Sequence, residues 1–107
     1  MDFTQMFKNF GNIKAKMEEI RERVSHMHIT GESGAGMVRV TVNGEGEVIN
    51  VKIDREMISN ENAEMLEELI ISATNEALKK ARETLAYEMR SITGGLNIPG
   101  MDKLFGG

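Results

Sequence analysis

The chain has 107 residues, 40% of them hydrophobic and 28% charged, which suits one small globular domain with a thin core and makes oligomerisation an expectation. With no cysteine there are no disulfides, no thiolate catalysis and no cysteine-ligated zinc, and no stretch is apolar for long enough to span a membrane or serve as a signal peptide, so a cytoplasmic protein is expected. The formal net charge of -4 argues against a uniformly basic nucleic-acid coat, but it says nothing about where the charges sit.

From Phe3 the apolar residues fall at Phe3, Met6, Phe10, Ile13, Met17, Ile20, Val24 and Met27, alternating by three and four as a coiled-coil-like helical seam does. The flanking positions hold Phe7, Lys14, Arg21, His28, Asn9, Lys16, Arg23 and Thr30, so basic residues line the seam and no acid does. Such a seam packs most simply on another helix of its own fold. The helix is expected to stop before Met27, because residues 26–33 alternate like a strand.

Three strands follow, over about 27–33, 37–43 and 47–54, with Gly34 and Gly36 turning the first hairpin and Gly44-Glu45-Gly46 the second. The glycines of TGESGAGMVRV are not a nucleotide loop. They lack the G-x-G-x-x-G and Walker spacings and they enter a strand, so no helix N-terminus is aimed at an anion. Alternation puts Val38, Val40 and Val42 on one face, opposite Met37, Arg39, Thr41 and Asn43. In the third strand it sets Ile49, Val51 and Ile53 against Val48, Asn50 and Lys52. A sheet with one apolar face needs one layer of helix over it, and its edges need pairing or cover.

Ser59 or Asn60 is placed to cap a second helix, which carries a stripe of Leu66, Leu69, Ile70, Ala73, Ala77, Leu78, Ala81, Leu85, Met89 and Ile92 and is expected to end at Gly94-Gly95. At about 1.5 Å per residue the two helices reach roughly 35 and 45 Å, too long for three short strands, so they overhang the sheet as an antiparallel arm. The expected fold is α+β, α-β-β-β-α, with a three-stranded antiparallel sheet. Residues 1–93 form the domain and 94–107 a flexible glycine-rich tail.

Placed on this frame, the charges segregate. Residues 3–17 carry Lys8, Lys14 and Lys16 and no acid, and residues 79–90 carry Lys79, Lys80, Arg82 and Arg90 against Glu83 and Glu88. Beside the sheet, residues 54–68 carry Asp54, Glu56, Glu61, Glu64, Glu67 and Glu68 against Arg55 alone. An acidic base with positive arm tips is expected.

The stretches TGESGAGMVRVTVNG, EMLEELIISATNEALKKARE and SITGGLNIPGM, in that order, make nearly the whole chain resemble the YbaB/EbfC nucleoid-associated proteins of bacteria. The resemblance implies the α-β-β-β-α fold, a homodimer joined through its central sheet layer with projecting helical arms, and binding of double-stranded DNA with little sequence preference in the cytoplasmic nucleoid. It also implies a part in chromosome organisation, gene regulation or DNA repair.

The residues expected to meet phosphate are Lys8, Lys14, Lys16, Arg23, Lys79, Lys80, Arg82 and Arg90. Those expected near the dimer axis are Met37, Arg39, Thr41, Val48 and Asn50. His26-x-His28, on one side of a strand, has no third ligand, and Glu64, Glu67 and Glu68 have no histidine beside them, so neither a metal nor a catalytic site is assigned. No cofactor, membrane or small-molecule substrate is expected. With one tyrosine, four phenylalanines and no tryptophan there is little to stack on unpaired bases. The alternative is an adaptor holding a protein partner through its arms, which apolar tips at Phe3, Phe7 and Phe10 would favour.

Overall fold

The structure, a computed structural model, describes residues 3–96. Most of the expected tail, residues 97–107, lies outside them. The element order is α1 (Phe3–Ser25), β1 (Ile29–Ser33), β2 (Val38–Val42), β3 (Val48–Ile53), a single 3-10 turn (Arg55–Met57) and α2 (Ala63–Leu96). The α-β-β-β-α order is the expected one, and α1 stops before Met27 as the strand-like alternation requires. Two boundaries differ. Ser59 Oγ accepts the Asn62 N–H at 3.3 Å within the turn that leads into α2, while α2 itself opens with Leu66 N donating to Asn62 O at 2.8 Å. At the other end α2 runs through Gly94 and Gly95 to Leu96.

The strands form one antiparallel sheet in the order β1-β2-β3. The β1–β2 turn places Gly34, Ala35 and Gly36 at φ 58°, 55° and 87°, a left-handed run whose cost falls on Ala35, since the two glycines adopt it freely. Gly36 N donates to Ser33 O at 3.2 Å to close it. The β2–β3 turn is tied by Asn43, whose side-chain oxygen accepts the N–H groups of Glu45 and Glu47, both at 3.0 Å.

α2 lies on one face of the sheet and antiparallel to β1: Ser33 Oγ donates to Leu69 O at 2.6 Å near one end, and Lys80 Nζ to Thr30 O at 3.1 Å near the other. Val38, Val40 and Val42 of β2 meet Ala73, Ala77 and Ala81 of α2 in the buried core, as the period-two and helical stripes predict. The alanines let helix and sheet approach closely. At Gly31, in the middle of β1, an added Cβ would stand 2.2 Å from Ala73 O.

Among its described side chains α1 is buried at Ile20 and Val24, where Gly44 N donates to Val24 O at 2.7 Å and the helix end is fastened to the β2–β3 turn. Its remaining turns leave the sheet behind. The molecule measures 68 × 25 × 16 Å with a radius of gyration of 19.3 Å, against about 13 Å for a compact chain of this size. The expected overhang is therefore present, formed by α1 with the later turns of α2.

One face assignment is overturned. A β-bulge between Thr41 and Val42 shifts the β2–β3 register, so that Val38 pairs with Ile53, Val40 with Val51 and Thr41 with Asn50, but Val42 with Val48. Ladder partners share a face. Val48 therefore joins the helix-side face instead of sitting with Asn50 and Lys52 on the open one. The inserted residue is what simple alternation could not register.

Candidate nucleic-acid interface

Two surfaces stand out. One is the helical arm. Lys8, Lys14 and Lys16 are exposed on α1, in the part that leads away from the sheet, and the nearest acids along the helix are Glu18 and Glu19. Lys8 and Lys14 make no ion pair among the described residues, and Lys16 Nζ lies 3.9 Å from Glu19 Oε2 at the surface. The bare ammonium groups stay hydrated and available to an anion, since so long an exposed pair holds its lysine weakly. Phe10, in the same part of α1, is 66% exposed. The side chains of Phe3 and Phe7 lie outside the described residues.

The other expected cations are distributed differently. Arg23 donates through Nη2 to Glu88 Oε2, pinning α1 to α2 where the arm leaves the sheet. Lys80 is also committed: it reaches the Thr30 carbonyl and pairs with Glu76 at 3.0 Å. The Lys80 hydrogen bond, first, holds the Glu76 carboxyl below its ordinary value against opposing desolvation, with the Lys80 charge and then the Glu32 backbone amide lowering it further. Together Glu76 and Lys80 lie along the outer margin of β1.

Lys79 and Arg82 are exposed on α2 beside Lys80 and Ala81, which meet β1 and the core. These two cations therefore lie over the sheet, not at the far end of the arm where they were expected. Arg90 is exposed on the arm itself.

The second surface is the helix-side face of β3. α2 covers β1 and β2, and of β3 only Ile53 packs against that core: Val48 is 50% exposed, Ile49 47% and Val51 45%. Leu78 of α2 lies 3.7 Å from where a Cβ on Gly46 would stand, and Ile71, two turns earlier on that stripe, is 60% exposed. Because Ile71 and Leu78 are seven residues apart and so share one flank of α2, the half-exposed side chains of β3 and that flank border a shared apolar surface, a trough beside the helix. Of the residues expected near a dimer axis, Val48 belongs to this trough.

The others lie on or beside the open face. There Arg39 Nε pairs with Glu32 Oε1 at 3.2 Å, Thr41 Oγ1 stands 3.1 Å from Thr30 Oγ1, and Asn50 faces Thr41 across the ladder. Met37 is half-buried next to the glycine turn, and its carbonyl accepts the Asp54 N–H at 2.7 Å.

Among the described residues no three histidine, aspartate or glutamate side chains converge as a metal site would require. His26 is in the turn after α1, with Nε2 3.2 Å from Glu22 Oε1, and His28 precedes β1, so the expected strand-borne pair is not formed. No helix is long and apolar enough to cross a membrane among the described residues. The roles of Lys80 and Arg23 leave no signal in the sequence, because each depends on which turn of α2 faces which element.

Comparison with known proteins agrees with this geometry. The family model of the YbaB/EbfC DNA-binding family matches residues 1–96. A nucleoid-associated protein of Syntrophobacter fumaroxidans is 41% identical over 104 residues, covering 94% of each chain. One of Desulfotalea psychrophila is 38% identical over 99 residues, covering 92% of this chain and 93% of its own. Among solved structures, an uncharacterized protein of Helicobacter pylori is similar with a TM-score of 0.73 and 32% identity, covering 83% of this chain and 97% of the other.

Proposed function

Because the chain belongs to the YbaB/EbfC DNA-binding family, we propose that it is a nucleoid-associated protein that binds double-stranded DNA as a homodimer, through phosphate contacts and with little sequence preference. It acts in the bacterial cytoplasm, at the nucleoid, as a binding protein and not as an enzyme. Chromosome organisation, gene regulation and DNA repair are the processes such binding would serve.

The observation that carries this reading is the segregation of charge along an elongated molecule. Exposed Lys8, Lys14 and Lys16 occupy an acid-free part of α1, whereas six carboxylates against one arginine gather in residues 54–68 beside the sheet. Lysines on a helix contact phosphate as point charges and read no base edge, which suits binding with little sequence preference. Lys79, Arg82 and Arg90 extend the positive surface along α2. Arg23 and Lys80 contribute charge from fixed positions, each already holding two elements together.

A second copy is supported by the trough over β3. Its apolar side chains are half-exposed in a domain whose core consists mainly of valines and alanines, and a contiguous apolar surface of this kind is the ordinary mark of an interface. A two-fold pair would bury both troughs at once. In this arrangement Val48, Ile49, Val51 and Ile71 lie at the interface, with Asn50 at its margin and Met37, Arg39 and Thr41 turned toward the open face. The adaptor reading is favoured by one observation, the exposure of Phe10.

The decisive experiment is titration of random-sequence duplex across a range of salt, with sedimentation of the same protein. Binding that weakens steeply with salt, by a dimer, is the expected result. Salt-independent binding, or a well-folded monomer at micromolar concentration, refutes it.

A further inference from the structure

Phosphate contacts and pairing through the trough leave Phe10 without a role. Among the described side chains of α1 it is the only large apolar one open to solvent; Ile13 and Met17 on the same seam are half-buried, and Ile20 and Val24 are buried. Its surroundings are cationic: Lys14 follows one turn later on the same face, Lys8 precedes it by two residues, and residues 3–17 hold no acid. Gly11, its neighbour, weakens a helix interior relative to alanine, yet among the described residues nothing beyond its two neighbours and its own helix's backbone comes within 4 Å of where its Cβ would stand. Packing within the chain therefore gives no reason for a bare backbone there.

We propose that Phe10 is an apolar wedge which α1 inserts between stacked base steps of the duplex, so that DNA held by this protein is bent. The proposal rests on the DNA-binding function and adds the manner of contact. A wedge needs an exposed apolar side chain with cations beside it, so that phosphates on either side are gripped while the step opens. Lys14 and Lys8 supply the cations, and the bare backbone at Gly11 lets a sugar-phosphate strand approach. A protein groove would accept Phe10 as well, but an acid-free lysine surround complements phosphate. Because opening is easiest at pyrimidine–purine steps, bent complexes should gather there even though no base edge is read.

The test is end-to-end energy transfer on a short duplex labelled at both ends, measured beside affinity over a salt series. The parent should shorten the end-to-end distance. Phe10→Ala should bind with the parent's salt slope and leave the duplex straight, Phe10→Leu should restore the bend, and Lys14→Ala should flatten the slope by about 0.9 for each phosphate no longer neutralised. Salt-sensitive binding by the parent without bending overturns the wedge and leaves the DNA-binding function intact, whereas no binding by the parent removes both. Phe10→Ala that bends DNA as the parent does overturns the wedge. So does loss of bending accompanied by loss of the dimer, since that outcome makes Phe10 an assembly contact.

Discussion

Replacing Gly31 by alanine adds one methyl group at the closest approach of helix and sheet. The new Cβ would stand 2.2 Å from Ala73 O and 2.4 Å from Ala77 N, both backbone atoms of α2 that no rotamer change can move. Relief needs β1 and α2 to separate by roughly 1 Å, and a close-packed interior resists such a shift. The separation would also lift Ala73, Ala77 and Ala81 from Val38, Val40 and Val42, the whole of the sheet-side core. Overpacking of this kind costs about 3 kcal/mol, the upper end of the usual range, because neither neighbour is a flexible side-chain end. For a domain of this length that lowers Tm by roughly 15 °C.

Circular dichroism melts at matched protein concentration would measure it, since association makes Tm depend on concentration. Gly11→Ala is the internal control, with nothing within 4 Å of its added Cβ, and it should stabilise the chain by about 0.5–1 kcal/mol. If Gly31→Ala melts within about 2 °C of the parent, the close seating of α2 on β1 is wrong.

Other expected outcomes test the arm, the trough and the β1 margin. Lys14→Ala with Lys16→Ala removes four charges per dimer and should flatten the log-log salt dependence of DNA binding by up to roughly 3.6, with thermal stability nearly unchanged; an unaltered slope would exclude the arm as the phosphate contact. Val51→Glu puts a charge into the trough and should yield a folded monomer in sedimentation, so a variant that remains dimeric would move the interface elsewhere. The Glu76 carboxyl has a lowered pKa in the folded chain, so its pairing with Lys80 stabilises above the ordinary value of 4.5 and is lost as pH falls through the folded value. The melting difference between the parent and Glu76→Gln should therefore be present at neutral pH and vanish on acidification. A difference that persists in acid would assign it to something other than this ion pair.

The order of elements can be read from the sequence because each carries its own periodicity. The seam from Phe3 to Val24, the valines of β2 and the alanine-rich stripe of α2 each identify an inward face, and the structure buries the centre of the last two and the sheet-proximal end of the first. Periodicity does not say which turn of one element faces which residue of the next. For that reason Lys79, Lys80 and Arg82 read as arm-tip charges, although Ala81 between them is in the core over the sheet. The bulge opposite Val42 is hidden for a related reason. One inserted residue changes a face without changing composition, and Val48 is a valine on either side of the sheet. The arm lysines are legible, because exposure of a lysine in an acid-free run needs no register to predict.

The two margins of the sheet are unlike. Along β1, Lys80 occupies the Thr30 carbonyl and Glu76 draws on the Glu32 amide, so a neighbouring chain meets polar groups already in use. Along β3 the apolar side chains stand half-exposed, with no helix laid over them among the described residues. A sheet that is stoppered on one side and receptive on the other can accept one neighbour and then has nothing left to offer, because the newcomer presents its own stoppered side outward. In the proposed dimer, growth by strand addition would therefore halt at a pair, without a proline in β3 to prevent it. The brace formed by one lysine and one glutamate is in this sense a counting device: by closing the β1 edge, it would keep a pair joined through β3 from growing further.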